Sequence, residues 1–215
     1  MRIAAFLFCL LCCTVALFAQ PKAGLVAFYP FENSNADAAG NTANAFQPAL
    51  NRVYECGVEG KALEFSGANG NAVVMGPAND EFTTEDFSLS FYFKSTNSNG
   101  IQYLVHKLTS NCKTDGNLFY IRFRPFTRTL NVFLGEGAKT VNLIGEVPAG
   151  KCWHHVAVIR EANKVKLYIN GIKIQELNTQ GRINLSNDGK FTMGNSPCPS
   201  VVNQAPFEGY MDEVR

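Results

Sequence analysis

Apolar and polar residues alternate along most of this chain with a period of two, the pattern of strands that bury one face. It is clearest over residues 153–160 and 164–174, where Val165, Leu167 and Ile169 alternate with Lys164, Lys166 and Tyr168. Glu161-Ala162-Asn163 makes one reversal, and Asn170-Gly171 supplies the positive-φ pair of a two-residue hairpin turn, so three consecutive antiparallel strands are predicted. Residues 87–94 set Phe87, Leu89, Phe91 and Phe93 against Ser88, Ser90, Tyr92 and Lys94, a strand suited to the centre of a sheet. Residues 117–124 set Phe119, Ile121 and Phe123 against Tyr120, Arg122 and Arg124.

Shorter strands are predicted over 101–107, 129–134, 141–147, 190–194 and 207–215. The apolar run at 24–31, stopped by Pro30, reads as a further strand, and 33–44 reads as loop. Residues 61–67 and 72–75 flank an Asn-Gly-rich turn and read as a hairpin. Many short strands without helical periodicity define an all-β chain. The Phe-rich faces suit a two-sheet antiparallel β-sandwich better than a closed barrel.

Length and charge narrow this picture. With 215 residues, 46% hydrophobic and 17% charged, one domain with a full core is expected. Nineteen basic against eighteen acidic residues exclude nucleic acid or an anionic membrane as a partner held by bulk charge. Arg2, the apolar run at 3–18 and the small residue Ala19 read as a signal peptide at 1–19, followed by the mature domain at 20–215. A transmembrane helix is the competing reading, but the run is short for a bilayer and Pro21 follows it. A lipoprotein cysteine at Cys12 or Cys13 is a second alternative, with Leu11 standing where a small residue is expected. The expected location is therefore secreted or cell-surface, with no membrane span after the signal is removed.

Export leaves Cys56, Cys112, Cys152 and Cys198 in a compartment that permits disulfides. Sequence alone allows three pairings. The turn-like contexts of Cys112 and Cys152 favour Cys112–Cys152 with Cys56–Cys198. Zinc is disfavoured because no two of these cysteines have ligand spacing.

Five segments carry a resemblance. They are 25–31 (LVAFYPF), 60–67 (GKALEFSG), 87–93 (FSLSFYF), 153–158 (WHHVAV) and 207–215 (FEGYMDEVR). In this order they resemble laminin-G-like domains of the bacterial type, in the concanavalin A-like lectin/glucanase superfamily. The resemblance implies a jelly roll that binds glycans or proteins outside the cell without catalysis. It also implies residues beyond the motif ending at Arg215, so the last strand is expected to be truncated.

The glucanase branch of that superfamily carries a Glu-x-Asp-x-x-Glu run, which is missing here. The neighbours Glu85-Asp86 and Asp212-Glu213 point to opposite strand faces, whereas a retaining glycosidase needs two carboxylates about 5–5.5 Å apart. His154 and His155 likewise fall on opposite faces, and with His106 they read as scaffold rather than as metal ligands or a general base. The resemblance allows a structural calcium ion, for which Asn35, Asp37 and Asp212 are the candidate ligands. Candidate ligand-binding residues are Tyr92, Tyr120, Arg122 and Arg124 on sheet faces, with Asn69 and Asn71 at a rim where relatives often carry acids. The expected function is an exported carbohydrate-binding module. A protein-binding adhesion or surface-scaffold module is the alternative, and a glycoside hydrolase comes last.

Overall fold

A computed structural model of the chain describes residues 24–40, 53–67, 72–74, 80–111, 116–195 and 204–215. Within them run the strands β1 (Tyr54–Cys56), β2 (Lys61–Ser66), β3 (Ala72–Val74), β4 (Phe87–Ser95), β5 (Ile101–Lys107), β6 (Asn117–Arg124) and β7 (Thr129–Glu136). These are followed by β8 (Lys139–Glu146), β9 (His154–Glu161), β10 (Lys164–Ile169), β11 (Ile172–Asn178), β12 (Phe191–Met193), β13 (Gln204–Pro206) and β14 (Glu208–Asp212). One sheet has the order β1-β2-β14-β4-β9-β10-β11, the other β3-β12-β5-β6-β7-β8 with β13 against β5. Every pairing between these strands is antiparallel except the short parallel β13–β5 pair. The predicted two-sheet antiparallel jelly-roll sandwich is the observed fold.

Alternation decides which side chains face the space between the sheets. On β4, Leu89, Phe91 and Phe93 are buried, and they meet Val156 and Val158 of β9 and Leu167 of β10 on the same inner face. From the other sheet come Phe119, Ile121 and Phe123 of β6, with Leu130, Val132 and Leu134 of β7. Phe93 meets Phe123 edge-on at 5.1 Å, and Phe87 meets Phe119 at 5.7 Å, so aromatic contacts join the two sheets directly. Burial of each such side chain contributes roughly 1.5–3 kcal/mol. β4 is the central strand of its sheet, as its pattern predicts.

Three expectations are corrected. The run at 24–31 makes only an isolated bridge, Tyr29 to Val214, because the chain turns away after Pro30 with Phe31 and Asn33 in left-handed conformation. β2 and β3 are not a hairpin: β2 pairs with β1 and β14, whereas β3 pairs with β12 in the opposite sheet. The buried face of β2 (Leu63, Phe65) belongs to the first sheet, so β2 and β3 lie in different layers. The third correction is the parallel β13, a segment too short to show a period. Both predicted reversals of the 154–178 meander hold, with Ala162, Asn170 and Gly171 at positive φ.

Charged groups fasten one end of the sandwich. Arg160 is 2% exposed, and its guanidinium donates to the carbonyls of Ile183 (2.8 Å), Thr83 (2.9 Å) and Glu85 while lying over the ring of Phe87. Lys107, equally buried, donates to the carbonyl of Gly189 at 2.9 Å. Gly209 is required where β14 passes β4, since a Cβ there would lie 2.0 Å from the carbonyl oxygen of Lys94. No helix among the described residues is long and apolar enough to cross a membrane.

Arg160→Ala leaves three carbonyls without their donor, at about 1–3 kcal/mol for each buried group left unpaired. Urea unfolding should show a loss of at least about 3 kcal/mol, whereas Arg128→Ala, in an exposed pair with Glu146, should cost less than about 1 kcal/mol.

Candidate functional site

The outer face of the β5–β8 sheet is polar and aromatic, buried at β5, where Tyr103 and His106 are covered, and half-buried to exposed from β6 to β8. Paired residues of neighbouring strands share a face, and the register sets them in rows. One row runs Thr192, His106, Tyr120, Phe133, Asn142. The next runs Tyr103, Arg122, Asn131, Ile144. Tyr120 stacks on Phe133 with centroids 5.0 Å apart and planes 10° from parallel, and Tyr103 meets Tyr120 edge-on at 6.1 Å. The Arg122 guanidinium lies 4.1 Å from the Tyr120 ring centroid and 5.9 Å from that of Tyr103. Its Nη2 donates to the Tyr120 hydroxyl at 2.8 Å and to Asn131 Oδ1 at 2.9 Å, and Asn131 Nδ2 donates in turn to Asn142 Oδ1. Burial pushes the Tyr120 phenol up, against the charge of Arg122.

This face gathers two of the four sheet residues singled out from the sequence, Tyr120 and Arg122, with exposed Arg124 one step along the same face. Tyr92 is not among them: it lies on β4 in the other sheet, where its ring packs 4.7 Å from that of His155. Asn69 and Asn71 lie outside the described residues. Tyr103, Asn131, Phe133 and Asn142 escaped the sequence reading. A bulge between Tyr103 and Val105 brings Tyr103 and His106, three residues apart, onto one face, which strict alternation denies. Phe133, apolar though it is, is paired with Tyr120 on the outer face.

His154 lies on the inner face of β9 and is buried, whereas His155 faces outward, so these neighbours hold opposite faces as expected. Asp212 is fully buried. Its Oδ2 accepts from the backbone N–H of Val58 (2.7 Å) and Glu59 (3.3 Å), and its Oδ1 from Glu213 N–H (2.8 Å). Asp37 Oδ1 accepts from Phe28 and Ala39 N–H, and Asn35 Oδ1 from the Tyr54 hydroxyl at 2.5 Å. These acceptors tie loops together. No three His, Cys, Asp or Glu side chains converge to hold a metal ion among the described residues. Cys56 and Cys152 stand as free, exposed thiols among those residues. Their expected partners, Cys198 and Cys112, lie outside them, and the pairing remains an expectation.

A cavity of about 600 Å³ opens on the other sheet, between residues 24–27, Ser88, Ser90 and Arg215. Its charged walls are already engaged: Arg160 with carbonyls, Asp86 with Arg182 at 2.7 Å, and Arg215 with Glu213. The outer face of β5–β8 is therefore the better candidate.

An open two-layer antiparallel sandwich with a polar aromatic outer face is the architecture of lectin-like jelly rolls. Residues 66–215 match the family model Laminin_G_3, described as concanavalin A-like lectin/glucanases superfamily, and the chain belongs to that family. Among solved structures it is similar to domain 4 of AbnA, an extracellular GH43 arabinanase from Geobacillus stearothermophilus in complex with arabinotriose, with TM-score 0.65, 21% identity, and 88% of this chain and 90% of that chain covered. It is also similar to the binding domain of Paraclostridial Mosquitocidal Protein 1, with TM-score 0.66, 20% identity, and 89% and 48% covered. A third is the Ruminococcus gnavus IT-sialidase CBM40 bound to α2,3-sialyllactose, with TM-score 0.55, 16% identity, and 81% and 89% covered. Identities this low establish shared fold. The comparison with curated proteins gives no match.

His106, 3% exposed, has its pKa pushed down to about 4 by burial and by the charge of Arg122. It is neutral in the fold, while an unfolded histidine titrates near pH 6.5. The stability this contributes is complete above about pH 6.5 and is lost as pH falls towards 4. Asp212 acts in the opposite sense: burial raises its pKa to about 6, so its share is complete below about pH 4 and lost as pH rises through 6. Comparison of wild type with His106→Gln isolates the first effect. Between pH 7 and 4.5 the wild type should lose about 2 kcal/mol relative to the variant in urea unfolding. A pH-independent difference would contradict this.

Proposed function

We propose that this chain is an exported, non-catalytic module that binds carbohydrate on the outer face of the β5–β8 sheet. The observation that carries this reading is the two-row cluster of Tyr103, Arg122 and Asn131 beside Tyr120, Phe133 and Asn142. The half-buried rings of Tyr120 and Phe133, stacked on each other with Arg122 against Tyr120, offer apolar edges to a sugar ring, and the guanidinium and amides offer directed hydrogen bonds to sugar oxygens. The likeness to AbnA domain 4 and to the sialidase CBM40, both solved with oligosaccharides, supports it. The non-enzymatic part rests on the carboxylates adjacent in sequence, which are engaged rather than paired across a cleft: Asp86 with Arg182, Asp212 with backbone N–H groups, Glu213 with Arg215.

A protein-binding adhesion or scaffold role is the second reading. It is favoured by exposed Phe126 (87%), Ile172 (67%) and Ile144 (53%), apolar side chains on the surface. A glycoside hydrolase stands last, and release of reducing ends from a β-glucan, abolished by changing one carboxylate, would overturn that order.

A glycan array with the mature chain, run with calcium and with chelator, should give polysaccharide binding. Binding to none in either condition would sink the carbohydrate reading. Tyr120→Ala should weaken binding about tenfold, while Tyr92→Ala on the opposite sheet should leave it unchanged. Capture of an envelope protein that competing sugars do not displace would favour the second reading. A melting temperature that rises with calcium in the wild type and not in Asp212→Asn would support the calcium expectation.

Export also implies oxidation of the cysteines. Non-reducing peptide mapping of the mature chain should join Cys112 to Cys152 and Cys56 to Cys198, and alkylation of Cys56 and Cys152 without reductant would refute it.

A further inference from the structure

Resting on the carbohydrate reading, we propose that the sugar held on the β5–β8 face bears a carboxylate and that Arg122 is the residue that binds it.

Several cations of the described structure have their donors met by stronger acceptors. Arg160 meets three backbone carbonyls, Lys107 the carbonyls of Gly189 and Asn187, and Arg215 the carboxylate of Glu213. Arg122 differs. Its acceptors are two neutral side-chain groups, the Tyr120 hydroxyl and Asn131 Oδ1, both reached by Nη2. Its Nε is buried without a hydrogen-bond partner, as are those of Arg160 and Arg215, so the difference lies in the acceptors that its Nη2 meets. No ion pair with a carboxylate involves Arg122.

The surroundings add to this asymmetry. Arg124 lies two residues along the same face, exposed and in no ion pair. Across the sheet from it, Glu146 is held by Arg128 instead. His106 Nδ1, on the same face as Arg122, is likewise buried without a partner. The face thus carries the cationic charge of Arg122 and Arg124, and the carboxylate across the sheet from Arg124 is held by Arg128.

A half-buried guanidinium held over tyrosine is fixed in direction, and with both Nη2 hydrogens engaged its Nη1 is left to make a charge-assisted hydrogen bond to a carboxylate oxygen. Sugar hydroxyls would satisfy hydrogen bonds but leave the charge unmet. A uronate within a chain and a terminal sialate offer the same carboxylate chemistry, and the probes below separate them.

Calorimetric titration of the mature chain would use four probes: an oligogalacturonide, its carboxyl-reduced counterpart, 3′-sialyllactose and lactose. One acidic probe should bind, and its neutral counterpart at least about tenfold more weakly. Arg122→Gln should weaken the acidic probe about ten- to hundredfold, and Arg122→Lys, which keeps the charge but not the fork, by less. The wild-type probe pairs decide the question even where Arg122→Gln lowers the melting temperature. Equal binding of acidic and neutral members, or preference for the neutral one, overturns the carboxylate assignment and leaves the carbohydrate reading standing. Failure of every glycan on the array overturns that reading itself.

Discussion

Phe93 and Phe123 meet edge to face across the gap between the sheets, and most of the molecule is arranged so that this contact and its neighbours stay dry. Each strand has one face to give to that interior. Once Phe119, Ile121 and Phe123 are committed inward, Tyr120, Arg122 and Arg124 have only the outer side left to them. A slip of one residue in the pairing of β6 would exchange the two sets, exposing three large apolar side chains and turning two guanidinium groups inward. The inner contact and the outer platform are thus two consequences of one register.

Closing such a sandwich leaves loops whose carbonyls are buried at its ends, where no ladder satisfies them. Arg160 and Lys107 meet that need. Their long stems cross the apolar rim, and their charged heads end on backbone oxygens of segments 83–85, 183 and 187–189. Asp212 does the converse, accepting from the N–H groups of the 58–59 turn. Gly57 is needed beside it, since a Cβ there would stand 2.5 Å from the carboxylate. These are hydrogen bonds to charged groups, stronger than neutral ones, and they hold irregular backbone at the ends of the sandwich.

Alternation made the sandwich legible. It identified the centre of the first sheet at β4, the 154–178 meander and both of its turns, because these strands bury one face only. It failed where a strand is buried on both sides or interrupted. β5 is buried along nearly its whole length, and its bulge brings Tyr103 and His106 together against the period of two. The crossing from β2 to β3 looked like a hairpin because turn residues mark a reversal without saying which sheet receives the next strand. For the site, chemistry at single positions pointed to Tyr120 and Arg122. It could not separate them from Tyr92, whose sheet assignment is a property of topology rather than of local pattern.

Topology then explains why the two tyrosine positions differ in what they offer. Tyr92 sits beside His155, on the sheet opposite the Arg122 cluster. Tyr120 sits between Phe133 and Arg122, with three hydrogen bonds running in series through Arg122, Asn131 and Asn142 across β6, β7 and β8. Each member of that chain is on a paired strand whose opposite face is locked into the core. The platform is therefore ordered before any ligand arrives, so little conformational entropy opposes binding there. On the proposed carbohydrate reading, such a face would select its ligand by chemistry and geometry together, whereas surface loops would have to be ordered first.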